Sequence, residues 1–319
     1  MAVTLAQAKV NVQDDVQAMV IDEFAKSNFL FNNLTFDDVV SPTGGGATLT
    51  YGYTRVVTQP TAAFRAVNSE YASQEATKQR YTADLKVFGG AFDIDRVIAN
   101  MGGIVSEVDF QMSQKIKAAS ALFNDTVING DSAVDANAFD GLNKAITGSS
   151  TEYNAGGAAI DLSTSANVTT NYMYFLDALD EFLSGLDGEA SFIGGNTKLI
   201  AKIRACARRA GMYQVTTNTF GQQVESYGKT PFVDFGAKAG SNNPVVGIDG
   251  VTGETSLFAA RLGLDGFHGV SMAGVSPVQS WLPDFKTAGA VKKGEVEMVA
   301  AVVLKATKAA GAFRKIKVQ

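Results

Sequence analysis

Histidine is the residue that most proton-transfer and nucleophilic schemes use near neutral pH, and this chain has one, His268. Ser–His–Asp and Cys–His mechanisms would both have to draw on it. The nearest serine, Ser271 in Gly269-Val270-Ser271-Met272-Ala273, lacks the final glycine of a nucleophile elbow. His268 therefore reads as a polar turn residue. Gly228-Lys229-Thr230 has the ending of a phosphate loop, but the opening glycine would fall on Gln223. Pro231-Phe232 and a strand also follow where a helix is needed. Gly247, Gly250 and Gly253 are wrongly spaced for a dinucleotide fold and read as turns. Asp131, Asp135, Asn137 and Asp140 offer oxygens to a hard cation, yet their spacing is not that of a calcium loop, so turn-forming aspartates are expected. Asp93 and Asp95 alternate with apolar residues and read as the solvated face of a strand. Cys206 lies in a basic helix that could lower its pKa, but with no histidine near it in sequence it reads as a small packing residue. Lys198, Lys202, Arg204, Arg208 and Arg209 could touch phosphate non-specifically. The preceding helix supplies Asp177, Asp180 and Glu181, and ion pairing within or between subunits is the simpler expectation. No catalytic residue, cofactor site or metal site is expected, and the chain does not read as an enzyme.

The elements around these residues read as a scaffold. Residues 48–88 form two alternating runs. In the first, Leu49, Tyr51, Tyr53 and Val57 share a face; in the second, Tyr81, Ala83, Leu85 and Val87 do. Period-two alternation rich in Thr, Tyr and Val predicts a long two-stranded finger, its tip at residues 59–75. A lone hairpin is marginal in water, so the finger should lie on a second copy of the chain. Before it, residues 1–42 read as an arm with a helix near 14–28, followed by the turn glycines Gly44-Gly45-Gly46. After it, the alternation changes phase across Gly89-Gly90, which predicts a bend there. Gly102-Gly103 then releases a helix over 104–128, with Ile104, Val108, Met112, Ile116, Ala119, Phe123 and Val127 in one stripe. It stops at Asn129-Gly130. Residues 147–167 read as exposed loop. Helices are predicted over 171–185 and, capped by Asn196, over 197–210. Strands are predicted over 230–234, 257–261, 278–281 and 295–304, with a last edge strand over 313–318.

The 319 residues suffice for one large domain or two modest ones. Only 18% are charged against 46% hydrophobic, so much of the surface is expected to be covered by other molecules. With 27 basic and 32 acidic residues the net charge is −5, which argues against a dedicated nucleic-acid binder. A single cysteine excludes an internal disulfide and suggests a reducing compartment at synthesis. The longest apolar run, 298–304, is too short to span a bilayer, so no membrane partner is expected.

The order of arm, finger, glycine-bounded helix, helix-pair unit and returning strand resembles one family. Local strings agree: Pro60-Thr61-Ala62-Ala63-Phe64-Arg65, Phe92-Asp93-Ile94-Asp95-Arg96, Asp125-Thr126-Val127-Ile128-Asn129-Gly130-Asp131, Phe139-Asp140-Gly141-Leu142 and Tyr227-Gly228-Lys229-Thr230-Pro231. Over nearly its whole length the chain looks like the major capsid protein of tailed bacteriophages, with the Hong Kong 97-type α+β fold. The resemblance implies an N-terminal arm at 1–43 and an extended loop at 44–89. It implies a peripheral domain at 90–165 plus 286–319, with its spine helix at 104–128, and an axial domain at 166–285. It also implies pentamers and hexamers closing an icosahedral shell around packaged double-stranded DNA, with only non-specific DNA contact. Assembly would take place in the host bacterial cytoplasm and the product would be the virion capsid. Partners would be further copies, a portal, possibly a decoration protein and, since only about 40 residues precede the finger, a separate scaffolding protein. The tip offers Arg65 but no lysine, so no covalent cross-link to a neighbour is expected. Phe29, Phe31, Tyr51, Tyr53, Pro60, Phe64 and Arg65 are the expected inter-subunit contacts, because aromatic residues and arginine dominate interfaces. Other readings are an encapsulin-like compartment shell, a phage tail-tube or surface-layer subunit, and a nucleotide hydrolase.

Overall fold

A computed structural model describes residues 29–41, 48–100, 106–211, 215–217 and 223–319. The expected helix near 14–28, Gly44-Gly45-Gly46 and Gly102-Gly103 lie outside the described residues.

The chain opens with a short helix, α1 (Phe29–Asn33), and a strand, β1 (Phe36–Val40). The hairpin follows as β2 (Thr50–Thr58) and β3 (Thr77–Asp84), paired from Thr50 opposite Asp84 to Thr58 opposite Thr77. It is shorter than expected, because β4 (Lys86–Asp95) already belongs to the body. The change of phase lies at Leu85, not at Gly89-Gly90. Leu85 is buried and its N–H donates to the Leu49 carbonyl; beyond it Phe88, Phe92 and Ile94 face inward and Val87 faces out. Gly89 serves close approach instead: a Cβ there would stand 2.0 Å from the Val296 carbonyl oxygen.

Asp95 caps the single turn α2 (Arg96–Ala99). The long helix α3 (Glu107–Asn129) is capped by Ser106, and Gln111 bonds Glu107 on its wet side at 2.7 Å. Its 23 residues make a rod of about 34 Å. Met112, Ala119, Phe123 and Val127 of the expected stripe are buried, Ile116 is 37% exposed, and Ile104 lies outside the described residues. The helix stops at Gly130 with φ −58°, so the glycine is there for room rather than for a left-handed turn. Next come α4 (Leu142–Ile146), β5 (Glu152–Tyr153) and β6 (Ile160–Asp161). Residues 147–167 thus carry two strands and the start of a helix, where a plain loop was expected. Thr164 caps that helix, α5 (Ser165–Ser184), which buries Phe175, Leu176, Leu179 and Phe182.

The order continues with β7 (Phe192–Gly195), α6 (Thr197–Arg209), β8 (Val215–Thr217), β9 (Gln223–Tyr227), β10 (Thr230–Asp234) and β11 (Glu254–Ala260). Asn196 caps α6 as expected, accepting from the Lys198 N–H, while its own amide donates to the Val246 carbonyl. The chain closes with β12 (Phe267–Met272), β13 (Val278–Trp281), β14 (Val291–Leu304) and β15 (Ala310–Lys317).

Two sheets share these strands. In the first, β4 lines one edge of β14, and β13 and β12 divide the other, with β1 added parallel to β12. The second runs β5-β15-β11-β7-β10-β9-β8, with β6 also on β15. β15 is therefore not an edge strand: it lies between β11 and the short pair β5 and β6, and Ala310, Ala312, Phe313 and Ile316 are buried. Two residues, Arg314 and Lys315, stand opposite Ser256 alone, and this bulge puts Lys315 at φ +56°. β12 and β13 join the sheet under α3, and β15 joins the other one. A core centred on Phe123, Phe139, Phe192 and Met298 joins the two.

Candidate assembly surface

The hairpin is fastened at its root by three residues that alternate along one face of β2. Tyr51 is 7% exposed, and its hydroxyl donates to the Asp37 carboxylate at 3.0 Å. Burial first, and then Asp37, raise its pKa, against the pull of Lys305. Tyr53 stacks on Tyr81 across the hairpin at 5.7 Å, and its hydroxyl reaches the Leu304 carbonyl at 3.4 Å. Arg55 lies 4.6 Å over the Tyr81 ring and donates to the Lys305 carbonyl at 2.7 Å and to the Leu304 carbonyl. These carbonyls close β14, so the guanidinium satisfies acceptors that lie at the strand's end.

The tip is different. Residues 59–76 form no strand, and every one of them is exposed. Gln74 ties its two sides together, accepting from the Thr61 N–H at 2.7 Å and hydroxyl at 2.8 Å. Arg65 donates to the Ser69 carbonyl at 3.0 Å and lies over Tyr71 at 5.3 Å. Phe64 projects with 107% relative exposure, beside Val67 at 88% and Tyr71 at 63%. Grouped apolar side chains without cover mark an interaction site.

Of the seven expected contacts, the structure brings Pro60, Phe64 and Arg65 together at the exposed tip. The other four have partners within the subunit. Phe29 packs edge-on against Phe192, Phe31 against Phe36 and Phe123, and Tyr51 and Tyr53 bolt the hairpin to its own body. Their apolar faces are used within the subunit, because the root of a hairpin needs a platform before its tip can be presented. The structure adds Arg55 to the root of the hairpin and Val67 and Tyr71 to its exposed tip. The signal for Arg55 was its parity, since it shares the tyrosine face.

The residues considered for chemistry are accounted for. His268 is fully buried in β12, not in a turn. Gly228, at φ +60°, and Lys229 make the two-residue turn between β9 and β10, which is no phosphate cradle. Asp249 accepts the Val251 and Thr252 N–H groups at 2.8 Å, so the Gly247–Gly253 spacing is turn chemistry. Lys144 answers the acidic loop, lying 2.6 Å from Asp131 and 3.0 Å from Asp140. That ammonium holds the Asp131 carboxyl below its usual range. Among the described residues, no group of acidic, His or Cys side chains could hold a metal. On α6, Arg204 pairs with Glu225 rather than with the acidic helix, whose Asp180 and Glu181 accept from Tyr227 and Tyr153. No described helix is long and apolar enough to cross a membrane.

Cys206 is buried, and desolvation pushes its thiol up to about 11, against the basic surroundings that favoured the thiolate. A disulfide-exchange reagent at pH 8 should leave the folded chain unlabelled and should find one thiol per chain after denaturation. Rapid labelling of the native chain would contradict this burial.

No family model matches the chain, and no curated protein matches it. Solved structures do. The holo-SrpI encapsulin complex from Synechococcus elongatus PCC 7942 matches with a TM-score of 0.67 at 15% identity, over 99% of this chain and 97% of that one. The capsid of Myoviridae Phage XM1 matches with a TM-score of 0.60 at 13% identity, over 99% of both chains. A structure of Mycobacterium phage Bobi matches with a TM-score of 0.61 at 12% identity, over 98% of this chain and 99% of that one. This chain has the Hong Kong 97-type capsid fold. The match takes in both sheets, α3 and the hairpin, so the capsid fold accounts for nearly every residue. Within it, the finger tip leaves Phe64, Val67 and Tyr71 exposed.

Proposed function

We propose that this chain is a major capsid protein of a tailed bacteriophage, assembling as pentamers and hexamers into an icosahedral shell around packaged double-stranded DNA. The observation that carries the reading is the uncovered tip of a firmly rooted hairpin on a capsid fold. Such a tip contacts a neighbour, and repeated heterologous contacts that close generate a shell. The work is done by interface energy rather than by chemistry, so the chain is not an enzyme. In this reading residues 1–43 are the arm and β2–β3 the extended loop. The sheet of β4 and β12–β14 with α3, to which the arm adds β1, is the peripheral domain, and the sheet of β5–β11 and β15 with α5 and α6 is the axial one. A net charge of −5 suits a lining that must not grip DNA during packaging or ejection. A portal, a scaffolding protein, a decoration protein, assembly in the host cytoplasm and residence in the virion follow from the same reading.

The test is electron microscopy of the purified chain, with and without a co-expressed scaffold. Closed shells are expected from wild type. The double change Phe64→Asp and Arg65→Glu should give folded subunits and no shells; shells of normal yield from that variant would overturn the role of the tip. Trypsin adds a second reading. The free chain should be cut first after the exposed Arg65, and assembly should suppress that cut by at least about tenfold.

The encapsulin match, with its TM-score of 0.67, supports a second reading as a compartment shell. The content of particles from the native host separates the two: DNA for a capsid, a protein cargo for a compartment.

A further inference from the structure

We propose that His268 makes the seating of the hairpin acid-sensitive, so that mild acidification lifts Tyr51 off the body and frees the finger while the rest of the fold stays closed. Tyr51 is the most deeply buried bolt of the β2 root, and the edge-on partner of its ring is the His268 imidazole, 6.0 Å away at 77°. His268 is fully buried, and neither of its ring nitrogens makes a hydrogen bond among the described residues. Buried polar side chains almost always have a partner, so an imidazole without one needs a reason.

The charged groups around the ring come from every element packed against it. Lys305, just past β14, sits 5.4 Å over the Tyr51 ring. Asp37, from β1, is the carboxylate on this side among the described residues, and it is already shared by the Tyr51 hydroxyl at 3.0 Å and the Lys305 ammonium at 3.9 Å. Asp265 is committed to Arg261 at 2.6 Å. The Gly266 carbonyl takes the Lys305 N–H at 3.0 Å, and the Lys305 carbonyl is held by Arg55. Opposite His268 in the ladder stands Val303, which offers nothing.

A proton on this ring would therefore place a buried cation beside the half-buried Lys305 ammonium, with no carboxylate of its own among the described residues. Burial first, and Lys305 second, hold the pKa below its ordinary value of 6.5, and Asp37, the Gly266 carbonyl and Asp265 oppose this without cancelling it. An imidazole released into water recovers that value. The seated state is thus fully stable above pH 6.5 and loses stability as pH falls through it, since the open state binds the extra proton. The hairpin yields before the histidine does. β12 is held by ladders on both sides, whereas the finger is attached through Tyr51, Tyr53, Arg55 and Leu85 and its tip touches nothing.

The test is hydrogen exchange on the unassembled full chain at pH 7.5 and 5.0, corrected for the intrinsic rate, so it does not depend on what the finger docks against. Peptides within 50–58 and 77–84 should lose roughly ten- to thirtyfold in protection, and α3 should lose none. His268→Phe, which keeps a ring and removes the proton, should hold the same protection at both values. Equal loss in that variant, no loss in wild type, or loss that extends into α3 would each refute the switch. If the variant does not fold, the wild type suffices, because the chain has a single histidine whose ring proton can be followed by NMR without assignment. Its titration should share a midpoint with hairpin opening. An imidazole that titrates while the hairpin stays protected would end the idea.

Discussion

Replacing Phe123 by alanine should cost about 3–5 kcal/mol, the upper range for removing a buried aromatic ring. The ring is fully buried in the middle of α3. It stacks on Phe88 of β4 at 6.0 Å and meets Phe31 of α1 edge-on at 5.8 Å. Phe36 of β1 and Phe139 of the following loop stand 5.9 Å and 5.8 Å away. Four separate segments thus meet on one side chain, and none can move into the space without leaving another. Urea denaturation followed by circular dichroism should show a lower midpoint with an unchanged slope. Ile116→Ala, on the same stripe but 37% exposed, should cost under about 1 kcal/mol. Equal losses in the two variants would mean that the core does not converge on Phe123.

Gly130→Ala should be nearly as damaging, at about 2–4 kcal/mol, for a different reason. The backbone at Gly130 has φ −58°, which any residue can adopt, so strain in the dihedral is not the issue. A methyl there would stand 2.3 Å from the Phe139 carbonyl oxygen and 2.5 Å from the Thr126 carbonyl oxygen. Both are main-chain atoms, fixed by the end of α3 and by the Gly141 N–H to Gly130 carbonyl bond at 2.8 Å. Gly247→Ala, where nothing lies within 4 Å, should be close to neutral in the same melt. A harmless Gly130→Ala would show that the 131–141 loop can shift away from the helix.

Most elements could be read from the sequence, because their signals are local. The stripe on α3, the Asn196 cap and the alternation on β2 each follow from backbone period and side-chain chemistry. What could not be read depends on partners distant in sequence. The phase change after the hairpin falls on Leu85, where pairing switches from β2 to β14, and nothing local marks that switch. The interior place of β15 was hidden in the same way, since a run ending in Lys315-Ile316-Lys317 looks like an edge until β5 and β6 are known to pair with it. At the candidate site, exposure was the unreadable quantity. Tyr51 and Phe64 are both aromatic residues of one finger, yet one is 7% and the other 107% exposed. Only the position of the platform formed by Asp37, His268 and Lys305 separates them.

The strand that joins β11 to β5 and β6 has a consequence for how the protein is made. Residues 152–161 and 254–260 can find their shared partner only after 310–317 have left the ribosome. At about 5–20 residues per second, the first of them waits on the order of ten seconds. During that interval Phe175, Leu179 and Phe182 lack the Phe313 ring that later covers them. The delay also orders events: the second sheet cannot close until translation is nearly complete.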